Sequence, residues 1–284
     1  MRTEQEMMEL ILSVAAADER VRAVAMNGSR TNANAPKDRF QDYDIVYLVD
    51  DIEPYLREPE WIDVFGERIV MQTPDDNALF PPERESRYAY LMLFADGNRI
   101  DLTLIPASES DAYLAEDKLT VVLMDKDGRL PALPPPSDED YRVRRPGPEH
   151  FRGCCNEFWW VSPYVAKGAW RREMLYATEH LDIVRDMLLK MLEWRVGWDT
   201  EFRVSIGKSY KYLERYVSED VWRRLMRTFP DGTYEGVWAA LYEMGDLFRE
   251  TAREVAGLMN FVYDEEEDRR VCEYLRRVES MGRE

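Results

Sequence analysis

The segment Asn27-Gly28-Ser29-Arg30, followed after a polar loop by Gln41-Asp42-Tyr43-Asp44-Ile45-Val46-Tyr47-Leu48-Val49, sets the architecture of the N-terminal half. The apolar run predicts a strand over 42–49 with Asp42 and Asp44 at its head. Strand side chains alternate, so both carboxylates are expected on one face. Two adjacent carboxylates repel unless a cation lies between them. The Gly28-Ser29-Arg30 turn offers backbone N–H groups, a hydroxyl and a guanidinium, the groups that hold a phosphate chain. The segment therefore reads as a metal–nucleotide site.

Working outward, residues 4–18 carry a helical apolar stripe, 21–26 a short strand, and 31–39 a loop. A short helix is expected at 61–65, a strand at 68–72, a loop at 74–87, and strands at 88–94 and 98–105 joined by an Asp96-Gly97 turn. Asp101 sits in the last of these among apolar neighbours, where an acidic group usually has a partner or a cation. A helix over 109–116 and a strand over 119–124 follow. Asp42, Asp44 and Asp101 together could bind one or two Mg²⁺ ions, with a nucleoside triphosphate completing the coordination.

Six prolines fall between Pro131 and Pro148. They mark a linker over 131–148 between a domain of 1–130 and one of 149–284. After it the apolar period becomes helical. Helices are expected over 149–167, with a kink or a join at Pro163, and over 171–196, from 219, and over 234–258 and 265–278. The fold class is α+β: a mixed sheet with flanking helices, then an all-helical domain.

Composition narrows the function. With 38 basic and 56 acidic residues the chain carries a net charge of −18, which argues against a nucleic-acid partner and suits a cationic small molecule. No apolar run is long enough to span a membrane and no signal-peptide pattern opens the chain, so a cytoplasmic location is expected. Cys154, Cys155 and Cys272 suggest no disulfide framework, and His150 and His180 give no zinc spacing.

The Gly-Ser turn, the D-x-D strand and the later lone aspartate resemble the nucleotidyltransferase superfamily typified by DNA polymerase β. The likeness extends to Gly28-Ser29-Arg30-Thr31-Asn32, Phe40 to Asp44, Asp96-Gly97-Asn98, Asp101 to Pro106, Cys154 to Trp159 and Gly207-Lys208. Those blocks resemble the aminoglycoside 6-adenylyltransferases, over nearly the whole chain. The resemblance implies a nucleotidyltransferase domain followed by a helical substrate domain, with ATP and Mg²⁺. It implies transfer of AMP to the 6-hydroxyl of streptomycin with release of pyrophosphate.

By the same resemblance Asp42, Asp44 and Asp101 are the metal-binding and catalytic groups. Gly28, Ser29 and Arg30, with Lys167 and Lys208, would hold the nucleotide. Glu157, Glu179 and Asp182 are candidates for the substrate's guanidinium groups, since carboxylates pair bidentately with them. The alternative is an ordinary exposed charged face. Trp159 and Trp160 could wall a bound cation, or be core. A second reading keeps the fold but changes the acceptor to another small molecule or a protein hydroxyl. A third, a binding module without catalysis, sits poorly with three mutually repelling carboxylates. Oligomeric state is not legible.

Overall fold

The computed structural model describes residues 1–80 and 86–281. Its chain divides into two compact units, Met1–Asp140 and Tyr141–Glu284, and the division falls within the proline-rich stretch. Part of the loop expected over 74–87, residues 81–85, lies outside the described residues.

The first unit is built on a six-stranded mixed sheet. Its strands are β1 (Val21–Met26), β2 (Tyr43–Val49), β3 (Arg68–Gln72), β4 (Tyr88–Phe94), β5 (Arg99–Pro106) and β6 (Val121–Asp125), in the order β3-β4-β5-β2-β1-β6. The β2–β5 pair is parallel and the other four pairs are antiparallel. Helix α1 (Glu4–Ala17) opens on a capping box, in which Thr3 and Glu6 satisfy each other's backbone N–H groups. Its Met7, Ile11 and Ala15 recur at helical spacing and are buried.

The alternation along β2 and β5 sends their residues to two faces. Tyr43, Ile45, Tyr47 and Val49, with Ile100, Leu102 and Leu104, pack with α1, and the Tyr47 hydroxyl donates to the Ile11 carbonyl at 2.6 Å. Val46, Leu48 and Ile105 form a smaller apolar cluster on the other face with Tyr113 of α3 (Ser110–Leu114). Asp44 and Asp101 fall on this second face by parity. The short helix α2 (Glu53–Arg57) and a 3₁₀ segment, Pro59–Phe65, lead into β3.

The second unit is helical: α4 (Pro148–Arg171), α5 (Met174–Asp199), α6 (Glu219–Arg227), α7 (Tyr234–Met259) and α8 (Glu265–Ser280). Phe158 of α4 stacks on Phe248 of α7 at 3.8 Å in its core. Gly168 lets α4 approach α5, since a Cβ there would lie 3.1 Å from Ala177. No described helix is long and apolar enough to cross a membrane.

Three local expectations need correction. β2 begins at Tyr43, so Asp42 precedes the strand. Helix α4 runs unbroken through Pro163, where a join was possible. One lost backbone hydrogen bond is tolerated because buried Val161, Ser162, Val165 and Ala166 hold both halves in one packed element. Helix α5 runs on to Asp199, past the end expected at 196.

Candidate active site

Asp44 and Asp101 are partners in the parallel β2–β5 register. Neighbouring strands lie about 4.8 Å apart, so pairing places the two carboxylates side by side on one face. Asp44 is half-buried, and among the described residues no donor hydrogen-bonds its carboxylate. Burial, reinforced by the charges of Asp101 and Asp42, pushes its pKa up to about 6.

The turn at Gly28–Arg30 abuts this carboxylate. Gly28 has φ +76°, and a Cβ built on it would lie 2.1 Å from Oδ2 of Asp44. Asn27 fixes the approach, its backbone N–H donating to the Asp44 carbonyl at 3.0 Å. The Asn27 side chain is held in turn by the hydroxyls of Tyr113 and Thr120.

Arg30, expected on the phosphate chain, is tied to the segment that enters β2. Its guanidinium donates to the carbonyls of Asp42 at 3.0 Å and Gln41 at 2.8 Å, and lies 3.6 Å from the centre of the Tyr43 ring. These contacts engage Nε and Nη2, while Nη1 lies 3.5 Å from the Glu4 carboxylate, so Arg30 pins the chain as it enters β2 and thereby sets the backbone of Asp42. Gln41 returns the tie by donating to the Ser29 carbonyl.

The residue that sequence reasoning missed is Arg99. Its Nε and Nη2 donate to the two Asp101 oxygens, each at 2.7 Å, and its Nε is 3.7 Å from Asp42 Oδ2. The signal was present: Arg99 lies two residues before Asp101 on the same strand, hence on the same face. Asp42 is thus joined to Asp101 through a guanidinium. Among the described residues no three acidic, thiol or imidazole groups already converge as a metal cage.

The residues suit a divalent cation by their chemistry. Asp44, half-buried and without a donor among the described residues, stands in register beside Asp101, and with Asp42 the three carboxylates outnumber the one guanidinium, Arg99, that meets them. Hard cations such as Mg²⁺ take such ligands.

The candidates in the helical unit separate by burial. Trp159 is 1% exposed, packs edge-on to Phe158 and Phe248 and donates its indole N–H to Tyr263. It is core, which corrects its expected place in a substrate wall. Trp160 is 63% exposed. Asp182 is engaged with Arg185, which is itself anchored on Thr228, so that carboxylate already has a partner. Glu157 and Glu179 are exposed and have no side-chain partner among the described residues. Lys167 of α4 lies 4.3 Å from the centre of the Tyr164 ring, and Lys208 is exposed in a 3₁₀ turn.

Residues 1–278 match a family model described as streptomycin adenylyltransferase. The chain is 45% identical over 265 residues to an aminoglycoside 6-adenylyltransferase of Bacillus subtilis, covering 93% of each chain. It is 44% identical over 264 residues to one of Campylobacter jejuni, covering 93% of this chain and 91% of that one. A crystal structure of an aminoglycoside 6-adenyltransferase from Bacillus subtilis covers 99% of this chain at 39% identity, with a TM-score of 0.49.

Proposed function

Because the chain belongs to the streptomycin adenylyltransferase family, we propose that it transfers AMP from ATP to the 6-hydroxyl of streptomycin, releasing pyrophosphate. Its activity class is aminoglycoside 6-adenylyltransferase. The observation that carries the chemistry is the register of Asp44 with Asp101, set against the Gly28 turn.

Asp42, Asp44 and Asp101 would hold the divalent metal, taken here as Mg²⁺. Bound there, such an ion neutralises phosphate charge and makes the α-phosphorus a better electrophile. Gly28 and Ser29 supply backbone N–H groups and a hydroxyl to the phosphate chain. Asp101 accepts the proton of the acceptor hydroxyl as its oxygen bonds to the α-phosphorus. The bond from the α-phosphorus to the bridging oxygen breaks, and pyrophosphate leaves with that oxygen. Arg30 contributes by fixing the backbone at Asp42.

In the helical unit, Lys167 and Lys208 are assigned to the nucleotide, and Glu157 and Glu179 to the guanidinium groups of streptomycin. Their exposure supports the second assignment, since a fork needs both carboxylate oxygens free. The net charge of −18 favours capture of a cationic substrate.

The test is pyrophosphate release from ATP and Mg²⁺ against streptomycin, kanamycin and no acceptor. Turnover with streptomycin alone is expected. Turnover with kanamycin but not streptomycin contradicts the 6-hydroxyl assignment.

A further inference from the structure

We propose that Arg99 is a built-in counter-ion of the aspartate cluster, which must release Asp101 before a divalent metal can enter, so that metal and guanidinium compete for the same oxygens. The inference rests on the metal-binding reading above.

Geometry carries it. Both Asp101 oxygens accept from Arg99 at 2.7 Å, and the same guanidinium reaches Asp42. Arg99 therefore bridges Asp42 and Asp101, and Asp44, opposite Asp101 in the register, receives no hydrogen bond among the described residues. Mg²⁺ needs ligand oxygens at about 2.0–2.1 Å in octahedral array and tolerates little distortion. A fork that turns the Asp101 oxygens toward Arg99 orients them away from that array. A dication and a guanidinium on the same carboxylate also repel each other.

The latch is built to open. The Arg99 side chain is 42% exposed and stands at the first residue of β5. A partly solvated ion pair is weak, so its release into water costs little beside the gain from a divalent ligand. Arg99 is thus a positioning residue: it keeps Asp42 and Asp101 together without metal and sets the threshold for metal entry.

The experiment titrates Mn²⁺, without nucleotide, into the full chain as wild type, Arg99→Gln and Arg99→Lys, by calorimetry and electron paramagnetic resonance. Arg99→Gln is expected to bind Mn²⁺ at least about ten-fold more tightly than wild type. Arg99→Lys, which keeps the charge and loses the fork, is expected to fall between. Equal or weaker binding in Arg99→Gln overturns the competition while leaving the metal reading intact. Mn²⁺ binding in none of the three proteins removes the metal reading itself. A second readout needs no variant fold: the Arg99 Nε–H resonance of wild type should lose its hydrogen-bonded shift on adding Mg²⁺. A resonance that stays put while Mg²⁺ binds overturns the proposal.

Discussion

Gly28 and Asp44 meet so closely that no side chain fits between them: a Cβ on Gly28 would stand 2.1 Å from the Asp44 Oδ2. The backbone there has φ +76°, a region that glycine enters without steric penalty. Gly28→Ala must therefore displace Asp44 and strain the turn. A loss of about 1–2 kcal/mol in stability is expected from the backbone alone. Turnover should fall at least about 100-fold, since misplacement by about 1 Å is costly in positioning chemistry. Urea unfolding and initial rates measure the two effects separately.

Asp44→Asn should stabilise the metal-free protein at neutral pH while removing activity. The half-buried carboxylate lies near the charges of Asp101 and Asp42 and accepts no hydrogen bond among the described residues, so its charge opposes folding. A gain of about 1 kcal/mol or more is expected in urea melts with chelator present. Lower stability in the variant contradicts the reading of Asp44 as a repelled charge without a donor.

Arg30→Lys separates anchoring from phosphate binding. Lysine cannot donate to the Gln41 and Asp42 carbonyls together while covering Tyr43. The account expects kcat to drop about 10- to 100-fold with the KM for ATP little changed. A rise in the KM for ATP at unchanged kcat would return Arg30 to the phosphates.

The β4–β5 turn gives a pH-dependent prediction. Arg2 beside Asp96, with Asn98, holds the Asp96 carboxyl well below the usual carboxylate range. A carboxylate depressed in the folded state stabilises above its unfolded pKa of about 3.9, and that contribution is lost as pH falls below it. Asp96→Asn should cost about 1 kcal/mol at pH 7. The difference from wild type should shrink progressively below about pH 4 in urea melts.

The adjacent tryptophans should behave oppositely. Trp159→Ala empties a core position and is expected to cost about 3–5 kcal/mol. Trp160→Ala should stay within about 0.5 kcal/mol, as exposed substitutions do. Thermal melts of the two variants decide it.

Much of this was legible in sequence because period and punctuation are local signals. Alternation gave β2 and β5, Asp96-Gly97 gave the hairpin of β4 with β5, and the prolines from Pro131 to Pro148 marked the change to helices. The strand expected over 98–105 put Asp101 on a face, but only the parallel register could set it beside Asp44. Which partner a long polar side chain takes is a tertiary matter. Arg30 and Asp182 found theirs within their own units, at the 41–42 carbonyls and at Arg185. Strand parity puts Arg99 on the face of Asp101, two residues on, but does not say which carboxylate its guanidinium takes. Trp159 and Trp160 look alike in sequence, and helix phase buries one and exposes the other.

Asp42→Asn bears most directly on the central claim, that the aspartates hold the ion on which AMP transfer depends. The measurement is streptomycin-dependent pyrophosphate release by the variant, alongside its urea midpoint. The account predicts a folded protein with turnover at background. A folded Asp42→Asn protein that adenylylates streptomycin at a rate near wild type would contradict it.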